Sequence, residues 1–182
     1  MKKFEEKTTE TEVIFEGKIV NLQVDTVELP NGKHSKRELI KHPGAVAIVA
    51  ITEENKIVLV EQFRKPLEKS IIEIPAGKLE YGEDPVDTGL RELQEETGYE
   101  AERLIPITSF YTSPGFADEL IHIYLAENIT KMENPPPGDE DEFVEIIEVG
   151  LAEAKAFVEE QRICDAKTNY AILYLEMMGI LK

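Results

Sequence analysis

The sequence predicts an α/β (α+β) fold, with a mixed sheet layered against helices and a small β-rich segment ahead of it. Two observations carry this prediction: short apolar segments with strand periodicity fill much of the chain, and helical composition is confined to a few segments. The chain has 182 residues, of which 42% are hydrophobic and 31% charged. It is therefore long enough to bury a substantial core, and its composition is that of a globular protein.

Residues 1–42 form a predicted antiparallel β domain. Between residues 20 and 26 apolar and polar side chains alternate, which is the pattern of a half-buried strand. The segment Pro-Asn-Gly-Lys at 30–33 supplies a turn, and 35–40 can return as the second arm of a hairpin. Because segments below about 40 residues rarely close a core alone, we expect this domain to lean on the rest of the chain or on a second subunit.

Residues 43–182 form the second predicted domain. We expect strands at 45–52, 56–62, 71–74, 103–111, 120–126 and 143–148, and helices from about 85 to 97, at 151–160 and at 166–178. The first helix has clear limits, because Asp84 suits its N-cap, Pro85 its first position and Gly98 its C-cap. A helical wheel places its apolar stripe on Val86, Leu90, Leu93 and Thr97.

The charge balance excludes several classes of function. The chain has 20 Lys and Arg against 37 Asp and Glu, a formal net charge of −17. This charge opposes binding to nucleic acid or to an anionic membrane, whereas a small anionic substrate is compatible if cations and arginines intervene. The single cysteine, Cys164, excludes an internal disulfide. With neither a signal-peptide pattern nor a spanning apolar segment, we expect a soluble cytoplasmic protein.

The segment 77–99, GKLEYGEDPVDTGLRELQEETGY, carries the candidate chemistry. Glu92, Glu95 and Glu96 share one side of the predicted helix, and Glu83 precedes it where the chain can fold back. Two carboxylates about 4 Å apart repel by about 4 kcal/mol at an effective dielectric of about 20, and a hard divalent cation such as Mg²⁺ or Mn²⁺ reverses that sign. A solvated acidic helix face fits the same pattern, and helix geometry alone does not choose between the two readings.

The spacing in this segment resembles the Nudix box. Gly77 is followed after five residues by Glu83 and after seven more by the run from Arg91 to Gly98, matching every fixed position of that motif. Such a match arises by chance in about one chain in a million of this size. The chain is thus similar to Nudix hydrolases, a resemblance that implies an α/β/α sandwich and metal-dependent hydrolysis of a nucleoside diphosphate linked to another moiety.

Three further motifs resemble the ADP-ribose pyrophosphatase subfamily. They are Gln62-Phe63-Arg64-x-Pro66, Glu73-Ile74-Pro75-Ala76-Gly77 and Ser113-Pro114-Gly115, whose proline lies sixteen residues after Gly98, and the acidic segment 138–145 also matches. The resemblance covers nearly the whole chain. It implies hydrolysis of ADP-ribose to AMP and ribose 5-phosphate by attack of water on phosphorus. It also implies a homodimer in which the N-terminal domains are exchanged.

The resemblance assigns expected roles to individual residues. The implied metal ligands are Glu92, Glu96 and the Ala76 carbonyl, with Glu83 and Glu95 near the metal. Arg91 would orient these carboxylates through charge-assisted hydrogen bonds, and the Arg64 guanidinium would grip substrate phosphate.

Substrate contacts and the general base complete the implied site. Glu73 resembles a substrate- or metal-side carboxylate. Arg37 and Glu38 match a region that contacts the adenosine half, and Pro114 and Gly115 lie in a substrate-side loop. The general base would be Glu140 or Glu142, with Glu142 favoured because it borders the following strand.

Three alternatives stay open at this point. A Nudix hydrolase can act on another substrate, such as a nucleotide sugar, a dinucleoside polyphosphate or NADH. A non-catalytic ADP-ribose sensor typically lacks box carboxylates, which are all present here. An acidic metal-buffering or interaction protein would bind metal strongly without hydrolysing any diphosphate.

Overall fold

The computed structural model describes residues 3–80, 82–138 and 143–181. Internal contacts divide the chain into two compact units, one formed by residues 1–44 with 110–121 and the other by 45–109 with 122–182. The elements described in the first unit are strands, whereas the second unit combines strands with the helices at 85–97, 151–159 and 166–178, and the predicted α+β class is confirmed.

The first unit contains an antiparallel sheet in the order β1-β2-β3, formed by Lys7–Glu16, Asn21–Glu28 and His34–Lys41. The predicted hairpin is confirmed as β2 and β3, and Gly32 in its turn has a φ of +77°, a conformation that favours glycine. Sequence reasoning did not separate β1 as a strand. Its pairing with β2 contains two register shifts, which interrupt the period-two pattern that would have revealed it.

The second unit contains the Nudix-box segment. Its elements in chain order are β4 (Ala45–Val49), β5 (Ile57–Arg64), β6 (Lys69–Glu73), β7 (Ala76–Lys78), α1 (Pro85–Thr97), β8 (Tyr99–Glu100), β9 (Arg103–Tyr111), β10 (Leu120–Glu127), β11 (Thr130–Lys131), β12 (Val144–Val149), α2 (Leu151–Glu159) and α3 (Ala166–Met178), with the tips of β9 and β10 counted in the first unit. The strand orders are β7-β4-β10-β9, β12-β5-β6 and β11-β8. Among the described residues, no helix is long and apolar enough to cross a bilayer.

All five residues of β4 are buried, and this strand lies at the centre of the core. The cluster around it contains Val46, Ile48, Ala50, Val58, Leu93, Tyr99, Leu104, Tyr124, Ala126 and Ile129. Strands buried on both faces read as continuous apolar runs, which explains why β4 and β5 were recognisable from sequence. Helix α1 packs on β4 and β7, so the core holds the helix that carries the box carboxylates.

The predicted stripe on α1 is partly confirmed. Leu93 and Thr97 are buried, whereas Val86 and Leu90 are half-buried and pack against the core cluster. Glu96, which the wheel placed on an acidic face, is only 4% exposed. Helix α1 is therefore buried at Glu96 as well as along its apolar stripe.

The predicted strand at 71–74 corresponds to β6, which ends at Glu73, but the sequence did not predict the strand that follows it. Residues Ala76–Lys78 continue as β7, pairing antiparallel with the start of β4. The sequence signal there was turn-like, because proline and glycine are poor strand residues. Pairing with the buried strand β4 outweighs that local preference and places residues 76–78 against α1. The short strands β8 and β11 carried no periodicity to detect.

Candidate active site

Helix α1 is fixed at both ends by the residues that the sequence indicated. Asp84 Oδ1 accepts a hydrogen bond from the Val86 amide at 2.8 Å, and Pro85 follows as the first helical residue. Gly98 takes a left-handed φ of 67°, and its amide donates to the Gln94 carbonyl. Defined ends keep the carboxylates of this helix in a fixed rotational setting relative to the strands.

Arg91 gathers the acidic residues of the box. Its Nη1 donates to Glu92 Oε1 at 2.9 Å and to Glu95 Oε2 at 2.8 Å, and its Nε and Nη2 each lie 3.4 Å from a carboxylate oxygen of Glu83. The predicted folding-back of Glu83 is thus observed. Partial burial would lower the pKa of Arg91, but hydrogen bonds and charge from the three carboxylates outweigh it and raise that pKa well above its usual range.

The loop before α1 lies against two box carboxylates. The Ala76 amide donates to Glu96 Oε2 at 2.9 Å, which explains why this carboxylate can be nearly buried. A β-carbon built on Gly77 would fall 1.9 Å from Glu92 Cδ. The Glu92 carboxyl therefore occupies the space that only glycine leaves open, and the Ala76–Gly77 backbone and the two carboxylates form one compact group.

The donor chemistry of this group fits a hard divalent cation. Among the described residues, no three carboxylate, imidazole or thiol groups converge closely enough to hold a metal ion as they stand. Three of the box carboxylates, those of Glu83, Glu92 and Glu95, are instead paired with Arg91. With Glu96, which accepts from the Ala76 amide, they make four carboxylates, which supply oxygen donors and an excess of negative charge over one guanidinium.

A second charged cluster lies at the end of β6. Arg64 Nε donates to Glu73 Oε2 at 2.6 Å, and Glu73 is only 3% exposed. The Lys167 ammonium donates to the other oxygen of Glu73 and, at 3.0 Å, to Asp165 Oδ1. Burial would lower the pKa of Arg64, yet the hydrogen bond and charge of Glu73 raise it overall.

The first turn of α3 also holds the backbone of this cluster. Thr168 Oγ1 accepts the Ile74 amide at 3.0 Å, and both groups are buried. Sequence reasoning missed Lys167 and Thr168 as neighbours of the site. No local pattern connects these two residues with Glu73 and Ile74, because the partners lie 94 residues apart.

The loop after β11 reaches the C-terminal end of α1. A β-carbon on Gly98 would lie 3.4 Å from Pro135 Cβ, and one on Gly138 would lie 3.6 Å from the Glu95 carbonyl oxygen. The two candidate bases, Glu140 and Glu142, lie outside the described residues.

The remaining predicted substrate residues lie in the first unit. Arg37, on β3, pairs with Glu6 through Nε at 2.8 Å and Nη2 at 2.6 Å, and Glu38 beside it is exposed. Pro114 and Gly115 are exposed in a turn that begins at Ser113. All the box carboxylates belong to the second unit.

Comparisons with known proteins agree with this site. The NUDIX domain family model matches residues 41–167, and the model for the nucleoside diphosphate sugar hydrolase N-terminal domain matches residues 6–40. An ADP-ribose pyrophosphatase of Bacillus subtilis (strain 168) is 59% identical over 182 residues, covering 100% of this chain and 98% of the relative. A methanol dehydrogenase activator of Bacillus methanolicus is 63% identical over 181 residues, with coverage of 100% and 98%.

A solved structure extends the agreement to the fold. The crystal structure of an ADP compounds hydrolase superposes with a TM-score of 0.83 at 20% identity, covering 96% of each chain. At that identity the likeness establishes the architecture alone. Taken with the complete box and the family match over most of its length, it shows that this chain is an enzyme of the Nudix hydrolase family.

Proposed function

We propose that this chain hydrolyses the diphosphate of ADP-ribose to AMP and ribose 5-phosphate, with water attacking one phosphorus. The observation that carries this proposal is the 59% identity, over the whole chain, to an ADP-ribose pyrophosphatase. The presence of every box carboxylate, with Glu96 at the Ala76 amide and Glu92 against Gly77, supports catalysis over passive sensing.

Nudix enzymes depend in general on divalent cations, and here Mg²⁺ or Mn²⁺ is the proposed cofactor. Glu92, Glu96 and the Ala76 carbonyl are its proposed ligands, with Glu83 and Glu95 adjacent. When bound, such a cation neutralises phosphate charge and lowers the pKa of water. The protein's own part is to hold Glu96 through the Ala76 amide and to keep the other carboxylates oriented through Arg91.

Arg64 is the proposed phosphate-binding residue. Among the described residues, no hydrogen-bond partner of its Nη1 and Nη2 is found, while Nε is fixed on Glu73. A guanidinium anchored at Nε and open at its other edge matches paired phosphate oxygens. Glu73 then acts as the carboxylate that fixes Arg64.

The general base is proposed to be Glu142 or Glu140. Support comes from the described residue just before them, Gly138, which lies against the backbone of Glu95. We expect Glu142→Gln to lower kcat by about 10²–10⁴-fold with little change in substrate binding. Equal small losses in Glu142→Gln and Glu140→Gln would refute a single base on this loop.

Residues 1–42 are proposed to form a substrate-contacting and dimerisation domain, with Arg37 and Glu38 on the adenosine side, and Pro114 and Gly115 are proposed to lie in a substrate-side loop. All ten residues of β1 are exposed, including the apolar Val13, Ile14 and Phe15. An exposed strand with apolar side chains is rarely left facing solvent, because it promotes association with other chains. A second copy of the chain is the proposed cover, and a sedimentation mass of one chain would overturn the dimer. The cytoplasm is the proposed location, in keeping with a single cysteine.

The test of the function is product analysis with Mg²⁺ on ADP-ribose, NADH, an ADP-sugar, a GDP-sugar and a dinucleoside polyphosphate. Rapid AMP release from ADP-ribose, abolished by a chelator, is the expected result. Preference for a sugar nucleotide would retain the chemistry and replace the substrate, and the N-terminal family match makes sugar nucleotides the main alternative to test. Binding of ADP-ribose without turnover of any compound would refute the enzyme proposal.

A second candidate function rests on the 63% identity to a methanol dehydrogenase activator. We propose that the chain also activates a methanol dehydrogenase, and the test is to add it, with Mg²⁺, to the purified dehydrogenase and measure alcohol oxidation. An increase in alcohol oxidation that is lost in Glu96→Gln would support activation through the Nudix site. No increase at equimolar protein would exclude this role for methanol dehydrogenase.

A further inference from the structure

Glu73 lies between two cations from distant parts of the chain. One carboxylate oxygen accepts from Arg64 Nε and the other accepts from the Lys167 ammonium, which also donates to Asp165. The side chains of Glu73 and Lys167 are 4% and 12% exposed. Two cations and two carboxylates thus form a formally neutral cluster at the end of β6.

This cluster fixes the orientation of the Arg64 guanidinium. A carboxylate with both oxygens engaged has little rotational freedom, so Lys167 fixes the orientation of the oxygen that receives Arg64 Nε. Thr168, the next residue on α3, holds the Ile74 amide and thereby the backbone on which Glu73 is mounted. The first turn of α3 therefore braces both the side chain and the main chain of Glu73.

We propose that Lys167 is a positioning residue for substrate binding, holding Arg64 through Glu73 so that its Nη nitrogens stay available to a diphosphate. The inference rests on the proposed function, because it needs Arg64 to contact substrate phosphate. Lys167 itself contacts no substrate in this scheme. It also balances charge, since without it the cluster carries one uncompensated negative charge beside an anionic ligand.

The test is steady-state hydrolysis of ADP-ribose by Lys167→Gln, which keeps a donor but removes the charge. We expect KM to rise about tenfold, equivalent to about 1.4 kcal/mol, while kcat stays within about threefold. Lys167→Arg restores the charge and is expected to return KM most of the way to the wild-type value. Lys155→Gln is the matched control, because it removes the lysine of the exposed Lys155–Glu176 pair and should leave KM unchanged.

A double-mutant cycle separates positioning from a general structural effect. If Lys167 acts through Arg64, adding Lys167→Gln to Arg64→Ala should raise KM no further. A full additional tenfold rise in that background, or an unchanged KM in Lys167→Gln alone, would overturn the proposal while leaving ADP-ribose hydrolysis established. Failure of the wild-type protein to hydrolyse ADP-ribose would instead refute the proposed function and the inference together.

A second variant keeps the test valid if Lys167→Gln does not fold. Asp165→Asn retains a side-chain oxygen for the α3 N-cap and removes one anionic partner of Lys167. Lys167 is then less firmly held on Glu73, and we expect a rise in KM of about threefold that disappears in the Arg64→Ala background; it is smaller than in Lys167→Gln because the lost negative charge partly offsets it. An unchanged KM in Asp165→Asn, with the fold intact, would count against the positioning of Arg64 by Lys167 through Glu73.

Discussion

Replacing Gly77 by alanine tests whether the loop backbone sets the position of a box carboxylate. The new β-carbon would lie 1.9 Å from Glu92 Cδ, 2.0 Å from Oε1 and 2.5 Å from Cγ. Gly77 belongs to β7, and its φ is not among the positive values, so alanine suits its backbone. The whole cost therefore falls on the Glu92 side chain.

The size of the effect follows from the overlap. Non-bonded carbons rest about 3.5–4.0 Å apart, so the Glu92 carboxyl must move by about 1.5–2 Å. A misplacement of about 1 Å at a reacting centre costs about 10²-fold in rate. We expect Gly77→Ala to lower kcat/KM for ADP-ribose by at least about 100-fold, or about 2.7 kcal/mol.

The assay combines steady-state kinetics across a Mg²⁺ titration with thermal unfolding. Because the displaced atoms are the flexible end of a side chain, Tm should fall by only a few degrees, about 1 kcal/mol. Gly150→Ala is the matched control, since a β-carbon there meets no atom within 4 Å. A kcat/KM within about threefold of wild type in Gly77→Ala would refute the placement of Glu92 as a functional carboxylate.

Three other substitutions test separate parts of the structure. Glu96→Gln should reduce kcat by about 10³-fold with little change in Tm, measured by hydrolysis and thermal unfolding, and a kcat near wild type would remove this residue from the metal site. Tyr99→Phe deletes the 2.7 Å hydrogen bond to Glu148 and should cost about 1–2 kcal/mol in denaturant unfolding. Burial, followed by the hydrogen bond and charge of Glu148, raises the pKa of Tyr99 from 10.0 to about 12, so its stabilising contribution is complete below pH 10 and is lost between pH 10 and 12. The variant should therefore show a shallower alkaline loss of stability, and an identical pH profile would contradict this. Thr168→Val leaves the buried Ile74 amide without its acceptor and should destabilise the fold by about 1–3 kcal/mol, whereas an unchanged denaturation midpoint would show that the amide finds another partner.

Elements with strong local signals were predictable from sequence. Helix α1 lies at Pro85–Thr97 with its predicted caps, α3 coincides with the predicted 166–178, and β9 coincides with 103–111. For α1 the apolar periodicity and the end signals agree, and for α3 and β9 the composition of a window of about a dozen residues was sufficient. β7 was missed because its only strand signal is the neighbour it pairs with.

The sequence by itself determined the family, the carboxylate helix and its expected chemistry, because the Nudix box is a contiguous pattern whose spacing can be read without coordinates. Only the tertiary structure decided that the buried Glu96 carboxylate accepts the Ala76 amide, and that the Glu92 carboxyl occupies the space where a β-carbon on Gly77 would lie. It alone paired Glu73 with Lys167 across 94 residues. Local patterns fix helices and their faces through short-range sterics and hydrogen bonds. The partner of a buried charge is fixed by which distant segments the core packs together, and no local pattern encodes that choice.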